Sequence, residues 1–291
     1  GPQDGDPFAV KPFPGQVGSL DSGSLTMIKS RYDFIAYIFI MEGDVLMQTN
    51  DQIFFQGTNG KAVLLIHGIT SGAAQMIPMA KFLNDYGYSV WSVNLAGHGT
   101  FPEDLLHTNC EDFIAKAESD YAYLKKNFDT VYVGGLSTGG CLSLYLAAKH
   151  PEIAGIIPIS SPLKLMPGTF ITDTYPPEQV YFHRPMEGKV GLFKQYHIHY
   201  EDIAVRIFKE LERLMAILGE DGFLEKVSCP AIVVQAKDDA VAAPESAGKI
   251  FDRIASERKE LYTPDYGEHN IVLTEGRHEA FRKIAMFLES L

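Results

Sequence analysis

The chain of 291 residues carries a formal net charge of −12 at pH 7, and 46% of its residues are hydrophobic. A chain of this length forms one large domain or one and a half, and folding buries about three quarters of the area exposed by the unfolded chain. The negative charge repels nucleic-acid phosphates and anionic lipids, which disfavours a general nucleic-acid-binding role. The composition is that of a globular protein and excludes intrinsic disorder.

The three cysteines, Cys110, Cys141 and Cys229, show no C-x-x-C spacing, so neither a disulfide framework nor a zinc ribbon is predicted. They favour a reducing compartment, and we expect a cytoplasmic protein. No segment approaches the roughly 18 apolar residues of a membrane span, so no stable membrane insertion is expected. Gly1-Pro2 resembles the remnant of a protease-cleaved fusion, which leaves a secreted or periplasmic location open.

The N-terminal part of the chain differs from the rest. Its first 20 residues contain eight Gly or Pro, a composition typical of a linker. Between residues 24 and 57, short apolar runs are broken by Gly, Asp and Asn, which predicts strands or one short helix plus strands. We therefore expect an N-terminal arm or extension over residues 1–45.

After Gly60, β-branched apolar runs alternate with longer helical patterns, which is typical of βαβ units on a parallel sheet. The predicted strands span residues 62–66, 89–94, 130–133, 154–159, 231–235 and 260–262. A helix is predicted over 111–127, with Asn109 as its cap and one apolar face made of Phe113, Ala117, Tyr121 and Leu124. Further helices are expected after Gly139, Pro244 and Glu275. The fold class is α/β, with a mostly parallel central sheet and helices on both faces.

The alternation stops between residues 161 and 227, where no strand pattern is found. A helix is predicted to end at Gly219, and its apolar stripe consists of Ile203, Ile207, Leu211, Leu214, Met215 and Leu218. An insertion at this place lies beside the carboxyl ends of the strands, where parallel sheets bind ligands. We expect a cap over 161–227, on a core formed by 46–160 and 228–291.

A candidate nucleophile lies in Gly135-Leu136-Ser137-Thr138-Gly139, between a predicted strand and a predicted helix. The turn that presents such a serine is so sharp that small residues are needed two positions before and after it. This context predicts that Ser137 is a nucleophile. The alternative is a glycine-rich turn whose serine caps the following helix.

A serine hydroxyl needs a base within hydrogen-bond reach and a third group that orients the base. Where such a turn carries the nucleophile, the three groups follow the order serine, acid, histidine along the chain. His269, in the loop between the last predicted strand and the last predicted helix, is therefore the candidate base. His278 also follows the predicted acid, but it lies within the final helix and is expected to be solvated. Asp238 and Asp239 both follow the strand 231–235 and compete as the acid; either also suits a turn or a helix cap.

The oxyanion of a tetrahedral intermediate needs preorganised N–H donors. The main-chain N–H of Thr138, directly after the nucleophile, is one expected donor. Ile69, in the loop after the strand 62–66, is the other. Two nearby histidines, His67 and His98, are expected to be structural hydrogen bonders.

Two features elsewhere are given structural roles. His197 and His199 could ligate a metal, but no carboxylate or cysteine cluster has suitable spacing, so they are expected on the cap surface and no metal is predicted. Cys141, one turn after Ser137, is expected to pack in the core.

Together these segments resemble the α/β-hydrolase family, in particular small bacterial carboxylesterases related to monoacylglycerol lipases. The resemblance covers about residues 52–291, and its matching segments are 62–68, 97–99, 102–105, 107–108, 135–139, 235–239 and 268–269. In relatives the acid stands three residues after the small residue that closes the strand. That residue is Ala236 here, so the resemblance implies Asp239 as the acid and a helical cap over an acyl pocket.

The chain departs from the family pattern in three places. Thr138 replaces a larger apolar residue, Glu268 replaces a small residue before the histidine, and the first fifty residues have no counterpart. The Glu268 carboxylate either points at the imidazole and favours its charged form or faces solvent.

The expected activity is that of a serine carboxylesterase that acts through an acyl-enzyme, without a metal or organic cofactor. The cap residues Met166, Phe170, Tyr181 and Phe182 suggest an apolar acyl or aryl group, in a monoacylglycerol-like or cinnamoyl-type ester. A ligand-binding or sensor protein on the same scaffold and an acyltransferase are the alternatives. The expected partner is a small-molecule ester, and a homodimer stays open.

Overall fold

The computed structural model describes residues 25–29, 35–41, 44–49, 52–169, 175–176, 178–185, 187–197 and 200–291. Twelve strands lie in these ranges. They are β1 (Leu25–Lys29), β2 (Ile35–Met41), β3 (Asp44–Thr49), β4 (Gln52–Phe55), β5 (Lys61–Ile66), β6 (Ser89–Val93), β7 (Thr130–Leu136), β8 (Gly155–Ile159), β9 (Tyr181–His183), β10 (Asp202–Ala204), β11 (Ala231–Val234) and β12 (Lys259–Tyr262).

The described α-helices connect and flank these strands. They are α1 (Ile77–Asp85), α2 (Cys110–Asn127), α3 (Thr138–Lys149), α4 (Gly191–Tyr196), α5 (Arg206–Gly219), α6 (Glu245–Arg253) and α7 (Arg277–Glu289). Short 3₁₀ turns lie at Ala73–Met76, Pro102–Leu106, Leu224–Lys226 and Ile271–Leu273. No helix in the described ranges has the length and apolarity required to cross a bilayer.

One sheet of ten strands, in the order β1-β2-β3-β4-β6-β5-β7-β8-β11-β12, organises the described part of the chain. The strands β1 to β4 pair antiparallel, as does β4 with β6. From β6 to β12 every pair is parallel. The predicted α/β class is confirmed, and each predicted parallel strand is present; the largest difference is in β7, which continues to Leu136.

The inner parallel strands β5, β7, β8 and β11 are largely apolar and buried, as expected where both faces of a sheet are covered. Ala62, Leu64 and Ile66 of β5 belong to one buried cluster with α2, α3 and α5, whereas Val63 and Leu65 belong to a second cluster with α1 and α7. This alternation follows the two-residue period of a strand. Parallel pairing places the carboxyl ends of β5, β7, β11 and β12 along one edge of the sheet, where their loops can meet.

The predicted cap of α2 is present. Asn109 Oδ1 accepts the Asp112 N–H at 3.0 Å, and Asp112 Oδ2 accepts the Asn109 N–H at 2.9 Å. This reciprocal pair satisfies donors that have no partner within the helix. The face predicted to be apolar is buried, and it consists of Phe113, Ala117, Tyr121 and Leu124.

The expectation that residues 161–227 contain no strand is wrong. β9 and β10 pair antiparallel in a separate two-stranded sheet, and Ile203, which we assigned to the helical stripe, lies in β10. Each strand is only three residues long, below the four to eight residues by which a strand pattern is recognised. The rest of the stripe lies in α5, whose apolar face packs in the same cluster as α2 and α3.

Of the predicted arm and cap, only parts can be compared with the structure. Residues 1–24 lie outside the described residues, whereas β1 and β2, within the predicted arm, extend the central sheet. The boundaries of the arm, core and cap stay predictions.

Two buried histidines fix the loops at the carboxyl ends of β5 and β6. His67 Nδ1–H donates to the Gly68 carbonyl at 2.7 Å, and its Nε2 accepts the Leu95 N–H at 2.9 Å. His98 Nδ1–H donates to the Ala96 carbonyl at 3.0 Å, and its Nε2 accepts the Thr70 N–H at 3.1 Å. Because each Nε2 accepts a main-chain N–H, both rings are neutral, as expected for structural hydrogen bonders.

Burial lowers the pKa of His98 to about 4, and burial together with the nearby His98 lowers the pKa of His67 well below its usual value. The unfolded chain titrates these rings near 6.5, so between that pH and about 4 the unfolded state binds more protons. The free energy of unfolding should therefore fall as the pH falls through this window, by up to about 1.4 kcal/mol per pH unit for each histidine.

We expect His98→Gln to flatten this dependence, because glutamine can still accept the Thr70 N–H and does not titrate. Denaturant unfolding of wild type and variant between pH 7 and pH 4 measures the difference in slope. His107→Gln, at an exposed histidine, is the matched control and should follow wild type. A His98→Gln curve parallel to wild type would contradict the assignment.

Candidate active site

The turn between β7 and α3 holds Ser137 in a strained conformation. Its φ of 55° and ψ of −114° lie in a region that non-glycine residues rarely adopt. The two flanking glycines are required sterically, since a Cβ on Gly139 would lie 2.0 Å from the Ile66 carbonyl oxygen and one on Gly135 would lie 2.5 Å from the same atom. This is the geometry of a nucleophile elbow.

The alternative role of Ser137 as a helix cap finds no support. Ser137 occupies the N-cap position of α3, yet its hydroxyl makes no capping hydrogen bond. Its N–H donates to the Ile159 carbonyl at 2.7 Å, which ties the elbow to β8. The backbone is thus held in place while the hydroxyl is not used by the helix.

The structure joins the predicted base to one of the two competing aspartates. His269 Nδ1 lies 3.0 Å from both carboxylate oxygens of Asp239. The Asp239 side chain is fully buried, and its Oδ1 also accepts the N–H groups of Val241 and Ala242 at 2.9 Å each. Asp238, one residue earlier, is exposed.

Two other groups near the predicted base are turned outward. Glu268, the unusual residue before His269, is exposed, so it faces solvent rather than the imidazole. His278 is also exposed, as expected for its place in the last helix. The carboxylate that holds His269 is therefore that of Asp239.

Ser137 and His269 line one cavity of about 50 Å³, together with Ile69 of the loop after β5. Thr138, the first residue of α3, is fully buried beside them. The cavity lies at the carboxyl ends of β5, β7 and β12, the edge where parallel sheets bind ligands.

The predicted oxyanion donors are available. The Ile69 N–H has no acceptor within the described ranges. Its two neighbours do have acceptors: the Gly68 N–H donates to Gln75 Oε1 at 2.8 Å, and the Thr70 N–H donates to His98. Like the Ile69 N–H, the Thr138 N–H has no acceptor in these ranges, since it lies in the first turn of α3, where N–H groups lack partners within the helix. Both donors are therefore free to bind a developing negative charge.

The expectation that His197 lies on the cap surface is wrong. His197 is 4% exposed, lines the cavity and accepts a hydrogen bond from Gln75 Nε2 at 2.9 Å. No pattern in the local sequence indicates this contact, because it joins residues 122 positions apart. His199 lies outside the described residues.

Within the described residues, no group of three or more His, Cys, Asp or Glu side chains is arranged to hold a metal ion.

The cavity is also more polar than we expected. Met166, Tyr181 and Phe182 do not line it, and Phe170 lies outside the described residues. Tyr181 and Phe182 instead pack against the core cluster that contains residues of α2, α3 and α5. Sequence reasoning missed several polar residues that do line the cavity, namely Thr70, Gln75, Arg184 and Asn270. Of these, Thr70 and Asn270 had a signal in the sequence, their positions next to Ile69 and His269.

Comparison with known proteins places this architecture in a family. A family model described as the alpha/beta hydrolase fold matches residues 61–199. The thermostable monoacylglycerol lipase of Bacillus sp. (strain H-257) is 35% identical over 208 residues, which cover 71% of this chain and 82% of the relative. The carboxylesterase of Bacillus subtilis (strain 168) is 30% identical over 242 residues, which cover 79% of this chain and 93% of the relative.

Solved structures of other proteins have a similar fold. One described with the metagenome-derived lipolytic enzymes LipS and LipT has a TM-score of 0.74 and 25% identity, and covers 83% of this chain and 98% of its own. A soluble variant of monoglyceride lipase from Saccharomyces cerevisiae has a TM-score of 0.69 at 18% identity, over 96% of this chain and 99% of its own, and supports the fold alone. The chain belongs to the α/β-hydrolase family, in the group that contains these lipase and esterase relatives.

Proposed function

We propose that the protein is a serine carboxylesterase that works through an acyl-enzyme on Ser137. The observation that carries the proposal is the buried Asp239 carboxylate bonded to His269, whose ring lines the same cavity as the strained Ser137. A nucleophile, a base and an orienting acid are thereby supplied by three separate loops at one edge of the sheet. The names of the relatives support an ester as substrate.

In the first half of the reaction, the Ser137 hydroxyl attacks the ester carbonyl. Because His269 Nδ1 faces Asp239, the ring carries its proton on that nitrogen, and Nε2 is the basic atom that takes the serine proton. The Asp239 carboxylate stabilises the imidazolium that forms. His269 then gives the proton to the leaving alcohol.

The tetrahedral intermediate places a negative charge on the former carbonyl oxygen. The Ile69 and Thr138 N–H groups, which have no other acceptor in the described part of the chain, are the proposed donors to this oxygen. In the second half, His269 activates water, which attacks the acyl-enzyme and releases the carboxylic acid. Every step uses side chains and N–H groups of this chain.

The proposed substrate class is a carboxylic ester with an apolar acyl or aryl group, either monoacylglycerol-like or cinnamoyl-type. A cavity of about 50 Å³ is suited to the reacting ester group rather than to a long acyl chain. The apolar residues that line this cavity are Ile69, Leu136 and Val241. The 35% identity to a relative named monoacylglycerol lipase favours the first of the two types.

Ser137→Ala should abolish ester hydrolysis, because it removes the hydroxyl that the proposed mechanism uses as the nucleophile. Incubation with a fluorophosphonate, followed by peptide mass spectrometry, should place a single adduct on Ser137 in wild type and none in the variant. Equal hydrolysis by both proteins would remove Ser137 from the mechanism. An adduct on Ser137 without ester hydrolysis would point instead to transfer of the acyl group to another acceptor.

Asp239→Asn should lower kcat by about 10³- to 10⁴-fold, because the amide favours the wrong tautomer of His269. Asp238→Asn is the matched control, since it makes the same chemical change one residue away on an exposed side chain. Its kcat should stay within about twofold of wild type, as is usual for surface substitutions. Comparable losses in the two variants would refute the choice of Asp239. Steady-state kinetics on a chromogenic ester measures both.

A panel of monoacylglycerols of graded chain length, together with cinnamoyl and short alkyl esters, tests the substrate class. We expect kcat/KM to rise with the apolar area of the acyl group, by up to about tenfold per well-buried methylene. A flat profile would defeat both specific assignments while leaving the esterase mechanism intact.

A further inference from the structure

Gln75 lies at a junction of three parts of the active site. It is 1% exposed and lines the cavity that contains Ser137. Its side-chain amide makes hydrogen bonds to Gly68 at 2.8 Å, to His197 at 2.9 Å and to Asn270 at 3.0 Å. These partners are separated from Gln75 by 7, 122 and 195 positions in the chain, so the amide joins three separate segments.

The orientation of the amide follows from its partners. The Gly68 main-chain N–H can only donate, so the atom that faces it must be the carbonyl oxygen of Gln75. Both hydrogens of Nε2 are then directed to acceptors, Asn270 Oδ1 and His197 Nδ1. All three contacts of the amide are thereby used, and no flipped orientation satisfies them.

Two of the partners adjoin groups that the proposed mechanism needs. Gly68 precedes Ile69, a proposed oxyanion donor, and Asn270 follows His269, the proposed base. His197 belongs to the segment between β8 and β11 that we predict to be the cap. The amide therefore connects the oxyanion loop, the loop of the base and the cap.

These contacts are distinct from those that hold the turn carrying Gln75. That turn, Ala73–Met76, is anchored at its first residue, since Ser92 Oγ–H donates to the Ala73 carbonyl at 2.8 Å and the Ala73 N–H donates to Asn94 at 2.6 Å. The Gln75 side chain instead lines the cavity. A residue needed only for the fold of this turn would not have to reach both the oxyanion loop and the loop of the base.

We propose that Gln75 is a positioning residue of the reaction, which keeps the Ile69 N–H and the His269 ring in the geometry of the transition state. His197 completes its hydrogen bonding, so contact with the cap and the geometry of the oxyanion hole are coupled. The inference rests on the proposed esterase function. Misplacement of catalytic groups by about 1 Å can cost on the order of 10²-fold in rate, which sets the scale of the expected effect.

Gln75→Met keeps the length of the side chain and removes all three hydrogen bonds. We expect kcat to fall by about 10- to 100-fold while KM stays within about threefold, because the lost interactions position transition-state groups rather than substrate. The second-order rate of fluorophosphonate labelling of Ser137 should fall in parallel. Gln75→Glu, which can still accept the Gly68 N–H but cannot donate to His197 or Asn270, provides a second variant with an expected intermediate loss.

Ser92→Ala is the matched control, since it removes one buried hydrogen bond to the same turn without touching the cavity. We expect a lower Tm with kcat within about twofold of wild type.

His197→Phe keeps an aromatic ring at the position that stacks on Phe193, with centroids 4.2 Å apart, and removes the nitrogen that accepts from Gln75. Combined with Gln75→Met, it should add little further loss in kcat, because both changes break the same network.

An active wild type with unchanged kcat in folded Gln75→Met and Gln75→Glu would overturn the inference. So would a change in KM alone, or an equal loss of kcat in Ser92→Ala. A wild type that neither hydrolyses esters nor forms an adduct on Ser137 would overturn the proposed function itself, and this inference with it.

Discussion

The proposed active site depends on one buried interaction, the hydrogen bond between the Asp239 carboxylate and His269 Nδ1 at 3.0 Å. Burying a carboxylate away from solvent lowers the free energy of unfolding unless the carboxylate is fully hydrogen-bonded. Here two main-chain N–H groups and the imidazole satisfy it. The loop after β11 therefore fixes the carboxylate, and the carboxylate in turn fixes the ring that must face Ser137.

The sheet explains why residues so far apart in the chain meet. The strands β5, β7, β11 and β12 are linked by parallel pairing through β8, so their carboxyl ends lie along one edge and their loops converge. Tight packing at the elbow adds precision, since neither Gly135 nor Gly139 leaves room for a Cβ. These close contacts keep the Ser137 backbone in its strained conformation, and the Ser137 hydroxyl makes no capping hydrogen bond to α3.

Local sequence patterns were sufficient to predict the features that depend on residues close together in the chain. The strand–turn–helix context of Ser137, the cap of α2 at Asn109 and the strand over residues 62–66 could all be predicted, because each depends on neighbouring residues. The choice between Asp238 and Asp239 was not settled by turn chemistry; it came from a family resemblance, and the structure brings Asp239 to His269. The environment of Glu268 stayed open in the sequence because its direction depends on the tertiary fold.

The features that were missed depend on contacts distant in the chain. The short strands β9 and β10 pair across 18 or more residues, and three residues are too few to give a recognisable period. His197 is buried only because the chain returns to Gln75, and the polar lining of the cavity arises from loops of different strands. Gln75 itself follows no motif, and its role becomes visible only when its partners are located.

The most direct test of the account is a crystal structure of the protein after reaction with a phosphonate ester. The account predicts phosphorus bonded to Ser137 Oγ, with the phosphoryl oxygen within about 3 Å of the Ile69 and Thr138 nitrogen atoms and His269 still bonded to Asp239. A phosphoryl oxygen directed away from both N–H groups, or a His269 ring separated from Asp239 in the adduct, would contradict it.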